Sequence, residues 1–232
     1  MNSRQTSTPD NLLVLHEDNH LIAINKRPGD IVQGDKTGDT PLSEIVKQYI
    51  KKKYDKPGAV YLGVVHRLDR PTSGIVVFAR TSKALPRLNK IFALKEATKT
   101  YWAVVKSKPE HNTATLTHWL VRNTKQNKSY AHKQEVPNSK KAILTYNVVR
   151  KLDHYYLLEI LLETGRHHQI RAQLAAIGCT IKGDLKYGFN RSNKDGSIHL
   201  HSRMLSFDHP VSKVAVKLIA PPPPDVVWRA VL

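Results

Sequence analysis

The stretch VVHRLDRPTSGIVVFAR, residues 64–80, holds a single acid, Asp69, set between Arg67 and Arg70. Val64 and Val65 lead in, and a β-branched run from Gly74 to Ala79 leads out, so the pattern predicts a polar turn between buried elements. Thr72 and Ser73 have hydroxyls that can bond backbone within such a turn, and Gly74 permits a tight exit. Arginine neighbours favour the ionised form of a carboxylate, which suits a nucleophile or a base better than a proton donor. A structural ion pair would leave the same trace, and the stretch alone keeps both readings open.

Working outward, LLVL (12–15) and HLIAIN (20–25) read as short strands, followed by a loop rich in Gly and Asp, KRPGDIVQGDKTGD. Pro41 opens a helical pattern in which Leu42, Ile45, Val46, Tyr49 and Ile50 form one buried face. Ser82 is placed to cap a helix reaching about Leu94, and KTYWAVVK (99–106) is a further strand. AILTYNVVR (142–150) and YYLLEILLE (155–163) predict an antiparallel hairpin around KLDH. The basic segment between Lys106 and Ala142 reads as an irregular excursion facing the ligand, or a mobile insertion. HHQIRAQLAAIG has helical spacing and closes at Gly178, and SKVAVKLIA (212–220) is a late strand before PPPP. The expected architecture is α+β: a mixed, largely antiparallel central sheet with flanking helices and a cleft. Residues 1–10 are expected to be disordered, and 11–232 to form one domain, with two lobes as a variant of it.

Charge narrows the class of partner. The chain has 37 Lys+Arg against 19 Asp+Glu, a net +18, and residues 51–150 hold 21 basic and 5 acidic residues. A field of that sign attracts polyanions, with nucleic acid the first candidate and an anionic membrane surface the second. No apolar run spans a bilayer, and MNSRQTSTPDN lacks a secretory core, so a cytoplasmic protein is expected. One cysteine, Cys179, excludes an internal disulfide, and the histidines have no metal-ligand spacing, so no metal is expected.

Two further segments break their local pattern. In TGRHHQIR (164–171) Gly165 ends a strand and a helix follows. Arg166 precedes that helix and Arg171 lies about one turn inside it. One arginine can meet phosphate while the deeper one pairs with a buried carboxylate; a solvated basic helix start would look similar. In KTYWAVV, Tyr101 and Ala103 point to one face and Trp102 and Val104 to the other. One aromatic belongs in the core, and the other has a ring to offer to a base.

Taken together, HRLDRPTSG, KTYWA and TGRHHQIR resemble the pseudouridine synthases of the RluA-type branch. INKRPGDIVQGD, IGCTIKGDLKYG and HLHSRMLSFDHP resemble that family's early Lys-Pro-Gly loop, its stretch after the arginine helix and its late segment. The resemblance implies an isomerase that turns uridines of transfer RNA, ribosomal RNA or both into pseudouridine, with no cofactor and no metal. It implies that Asp69 is the nucleophile or base, acting on C1′, on C6 or on the 2′ proton of a flipped-out uridine. Tyr101 would lie against the base, and Arg171 would pair with the aspartate. Arg67 would enter the RNA stack, while Arg70, Arg166, His168, Gln169, Lys26 and Arg27 would bind RNA or shape the site. The chain starts its first strand within about a dozen residues, which resembles the compact branch without an S4-like domain in front. A monomer is expected. The alternative is a non-catalytic RNA-binding or ribosome-assembly factor on the same fold.

Overall fold

The computed structural model describes residues 6–35 and 37–232. By its internal contacts the chain divides into two compact units: residues up to Thr98 with Ser202–Pro223, and Lys99–His201 with Pro224–Leu232.

In the first unit, strands Leu21–Lys26 (β2) and Ser73–Ala79 (β4) are buried at every position, which requires a sheet covered on both faces. They pair antiparallel, with Ile22 opposite Phe78 and Ile24 opposite Val76, so odd and even positions separate cleanly. Leu21, Ala23, Ile75 and Val77 pack against Leu88 and Ile91 of helix α2, Ala84–Ala93. Ile22, Ile24, Val76 and Phe78 pack against Leu42, Val46 and Ile50 of helix α1, Leu42–Lys53. Each such aliphatic side chain removed from water contributes roughly 1.5–3 kcal/mol, which is why two fully apolar strands anchor this half. Val14–Glu17 (β1) pairs with β2, the two-residue strand Gly63–Val64 (β3) pairs with β4, and Ala215–Ile219 (β11) pairs with Leu200–Asp208 (β10).

The second unit is an antiparallel sheet in the order Thr98–Val105 (β5), Tyr156–Leu162 (β9), Lys140–Lys151 (β8), Thr113–Asn123 (β6), Lys128–His132 (β7). Trp102, Val104 and Leu157 pack on one face against Trp228 and Val231 of helix α4, Val226–Val231. Leu120 and Ala142 pack on the other face against Ala172 of helix α3, Gln169–Ala176. The register carries that second face across the sheet, from Ala142 through Tyr146 and Ile160 to Tyr101.

Several expectations are corrected here. The segment between Lys106 and Ala142 is no irregular excursion: most of it is the β6–β7 hairpin and the start of β8. Its strand character is carried by threonines in cross-strand pairs, Thr115 with Thr145 Oγ1 to Oγ1 at 2.8 Å and Thr113 to Asn147 at 2.7 Å, a polar ladder easily read as loop. Ser82 does not cap α2: Lys83 stands at the N-cap position, and the hydroxyl that meets the first helical amide is that of Thr81, accepting from Ala84 N at 3.1 Å. Helix α4, beyond the prolines, was not foreseen; Asp225 caps it by accepting from Trp228 N at 2.9 Å. The first strand runs Val14–Glu17, two residues later than the apolar run suggests. Residues 1–5 of the segment expected to be disordered lie outside the described residues. Ser7 is placed and buried, its Oγ donating to Asp30 Oδ2 at 2.6 Å. No described helix is long and apolar enough to cross a membrane.

Candidate active site

Several residues of HRLDRPTSG have distinct tasks within the first unit. His66 Nε2 accepts from Val77 N at 3.1 Å and its ring stacks on Phe92 at 4.7 Å, which ties the turn to β4 and α2. Arg67 is exposed, Leu68 enters the core beside α1, and Asp69 is half-buried. Thr72 N donates to Asp69 O at 3.0 Å and closes the turn. Gly74 has φ +110, and a Cβ there would stand 2.3 Å from Ser202 O, so only glycine lets β4 and β10 approach. The turn around Asp69 is thus braced from both sides.

The early loop supplies the second brace. Gly29 N donates to Arg70 O at 2.7 Å, and Lys26 Nζ donates to the same carbonyl at 3.2 Å and to Arg27 O at 2.9 Å. Lys26 is 1% exposed. A buried ammonium engaged with these carbonyls fastens the two loops together, a site-shaping task. Arg27 is half-buried and donates through Nη2 to Asn11 O at 2.9 Å. Arg70 Nη2 donates to Thr37 Oγ1 at 3.1 Å and to the exposed Asp39 carboxylate, so its head is steered toward the Gly- and Asp-rich loop.

In the second unit, Arg171 is buried and pairs through Nε and Nη2 with both oxygens of Asp184, at 2.7 and 2.8 Å. This is the bidentate fork geometry that suits a buried guanidinium. Its Nη1 faces His168 Nε2 at 3.1 Å. Arginine has only donors, so that nitrogen must accept; the ring proton is then on Nδ1, 3.0 Å from Tyr187 Oη. Tyr187 Oη also accepts from Ser129 N at 2.8 Å, which links α3 to β7. His168 has φ +53, a left-handed turn that starts α3 and points its ring inward. The ring stacks on His167 at 3.8 Å. Asp184 and Tyr187 were missed from the sequence. One signal was available: Asp184 is the sole acid between Glu163 and Asp195, as Asp69 is the sole acid of its own stretch.

Gln169 is buried, its Oε1 accepting from Thr164 Oγ1 at 2.7 Å and Arg166 N at 3.0 Å, its Nε2 donating to Ile143 O at 3.0 Å. It shapes the TGR turn from inside rather than facing solvent. Arg166 is exposed, with Nε on Lys141 O at 3.0 Å. Tyr101 is buried on the face of the sheet where α3 packs, and Trp102 turns the other way into the α4 cluster with Nε1 on Glu159 at 3.3 Å. Lys99 shares the Tyr101 face by two-residue spacing and was not singled out from sequence. Burial pushes its ammonium pKa down, and Nζ lies 4.0 Å from the position a Cβ on Gly165 would take. Among the described residues no cluster of three or more His, Cys, Asp or Glu is placed to hold a metal ion.

Comparison with known proteins places these features in a family. The sequence profile of the RNA pseudouridylate synthases matches residues 20–176. That span contains Asp69, Tyr101 and Arg171. The chain belongs to this family. It is 31% identical to the uncharacterized RNA pseudouridine synthase YlyB of Bacillus subtilis, over 94% of this chain and 71% of that protein. It is 33% identical to ribosomal large subunit pseudouridine synthase D of Salmonella typhimurium, over 92% of this chain and 68% of that one. Human RNA pseudouridylate synthase domain containing 4 has the same α+β fold, with TM-score 0.77 at 24% identity over 93% of this chain and 90% of that one. As a member of the family the chain is an RNA pseudouridine synthase, an isomerase.

Proposed function

We propose that this RNA pseudouridine synthase modifies particular uridines of ribosomal RNA, transfer RNA or both, with Asp69 as the reacting carboxylate on a flipped-out nucleotide. The isomerisation breaks the bond from ribose C1′ to N1, turns the uracil and joins C5 to C1′. The proton lost from C5 is balanced by one gained at N1, so no co-reactant is consumed. Asp69 initiates this as an anion, at C1′, at C6 or at the 2′ proton. In this reading Tyr101 lies against the uracil, and Arg171, oriented by its bidentate fork with Asp184, acts with the aspartate. Extracting the uridine costs a few kcal/mol, which Arg67 offsets by filling the gap in the stack. The enzyme works as a cytoplasmic monomer.

The observation that carries this reading is the bracing of the Asp69 turn, fastened at Asp69 O by Thr72 and at Arg70 O by Gly29 and Lys26. A carboxylate carried on a turn whose backbone is held that firmly, among basic residues, is preorganised for chemistry. Ribosomal RNA is favoured by the name of the Salmonella relative, which specifies the large subunit. The test maps pseudouridine in total RNA from cells with and without the gene, then after restoration with wild type or Asp69→Ala. Positions lost on deletion and recovered only with wild type identify the substrate. Recovery with Asp69→Ala would remove Asp69 from the chemistry, and an unchanged map would favour a purely RNA-binding role.

A further inference from the structure

Within the second unit lies a cavity of about 440 Å³ that the reaction above does not use. Of its ten lining residues three are cationic, Lys106, Lys182 and Arg191; two are aromatic, Tyr155 and Phe189; and none is acidic. The volume falls in the range of small-molecule sites, and the lining joins a charge for an anion to rings for a flat base.

The cavity is built, not incidental. Lys182 N donates to Val104 O and Lys182 O accepts from His199 N, both at 2.9 Å, which fastens its backbone to β5. Its Nζ donates to Asn193 Oδ1 at 2.7 Å and stands 5.9 Å from the centre of the Tyr155 ring. The Asn193 amide is oriented from behind, Nδ2 donating to Ser197 O at 2.9 Å, so its oxygen must face the lysine. Gly183, with φ +88, makes room for that amide, since a Cβ there would come within 2.7 Å of Asn193 Nδ2. The next residue, Asp184, holds Arg171, so cavity and arginine fork are set by adjacent residues of one short segment.

We propose that this cavity binds one nucleotide of the RNA substrate apart from the reacting uridine, its phosphate on Lys182, Lys106 and Arg191 and its base on Tyr155 or Phe189. The proposal rests on RNA being the substrate. Burial pushes the Lys182 ammonium pKa down against the opposing pull of Asp225 and Asp195, a penalty that a bound phosphate offsets. A free mononucleotide offers the same chemistry, and the test separates the two sources.

The full-length chain is irradiated with a single-stranded oligonucleotide carrying 4-thiouridine, and crosslinked peptides are identified by mass spectrometry. The expected result is a crosslink in the peptides containing Tyr155 or Phe189. It falls roughly ten-fold or more in Tyr155→Leu and in Lys182→Met, as removal of a stacking platform or a phosphate partner requires. Arg191→Gln, at an exposed position, gives a third variant, one in which folding is not at stake. Crosslinks confined to other peptides, or crosslinks here that all three variants leave unchanged, overturn the proposal. Uridine 5′-monophosphate that binds here while the oligonucleotide does not would assign the cavity to free nucleotide and also overturn it. Absence of any crosslink on the chain would sink the RNA-binding reading itself, whereas a crosslink here with no pseudouridine formed would sink only the catalytic one.

Discussion

Arg171 and Asp184 are both almost wholly buried, at 5% and 1% exposure, and each meets the other in a bidentate fork. Removing one partner strips the other buried charge of its bidentate fork, and breaks of buried pairs cost about 3–5 kcal/mol. Asp184→Asn is therefore expected to lower stability by about 3 kcal/mol and to lower activity more than the folded fraction explains. Urea unfolding read beside Asp153→Asn checks this; equal midpoints for the two variants would refute the buried-pair reading. Gly74 makes a backbone argument of the same kind. Its φ of +110 and the 2.3 Å approach to Ser202 O leave no space for a methyl group. Gly74→Ala should cost about 3 kcal/mol or more through strain and displacement, a fall of roughly 6–12 °C in Tm for a chain of this size. A Tm within about 2–3 °C of wild type would mean that the two strands move apart cheaply.

At the level of elements, the two fully apolar strands, the α1 face and the β8–β9 pair were legible because each follows one period over its whole length. The β6–β7 hairpin was not: Thr113, Thr115 and Thr117 occupy its exposed positions, and threonine's β preference is masked by its polarity. Helix α4 was hidden for a different reason, since a six-residue helix after four prolines is held by Trp228 packing on β5, a contact no local pattern announces. Of the candidate site, residue identities were readable while several tasks were not. Lys26 shows the gap, because a basic residue beside Arg27 in a loop invites a phosphate contact, yet the fold draws its ammonium inward to Arg70 O. The two tasks differ in a measurable way, since every phosphate that a basic side chain neutralises steepens the salt dependence of RNA binding by a slope of about 1. Lys26→Met is expected to keep the slope of log K against log salt while reducing turnover through a looser Asp69 turn. Arg166→Gln, at an exposed position, should flatten that slope by about 1. A flatter slope in Lys26→Met would return Lys26 to the RNA interface.

Across the whole molecule the net charge of +18 that favours RNA also sets the response to pH. Glu17, Asp18 and Asp225 are each pushed up by burial, but their hydrogen bonds outweigh it and leave all three below the ordinary carboxylate range. The bonds come from Lys53 and Tyr54 for Glu17, His16 and the His20 amide for Asp18, and His199 for Asp225. A folded value below the unfolded one means stability that is complete above the unfolded value, 4.5 for Glu17 and 3.8 for the aspartates, and drains away as pH falls through the folded value. His118 acts in the same direction although it is a base. Burial and the charge of Lys133 push it down from 6.5, and its Nδ1 faces the donor Gln173 Nε2 at 3.1 Å, a geometry that suits the neutral ring. Unfolded chains therefore bind its proton first, and stability falls as pH drops from about 6.5 toward the folded value. Growing positive charge adds self-repulsion throughout. Urea midpoints should accordingly rise from about pH 3 to 7 in two stages, one ending near 4.5 and one near 6.5, and His118→Gln should erase only the upper one. An upper stage that persists in His118→Gln would show that another group governs it, and a flat profile below 4.5 would mean that these carboxylates are no better bonded folded than unfolded.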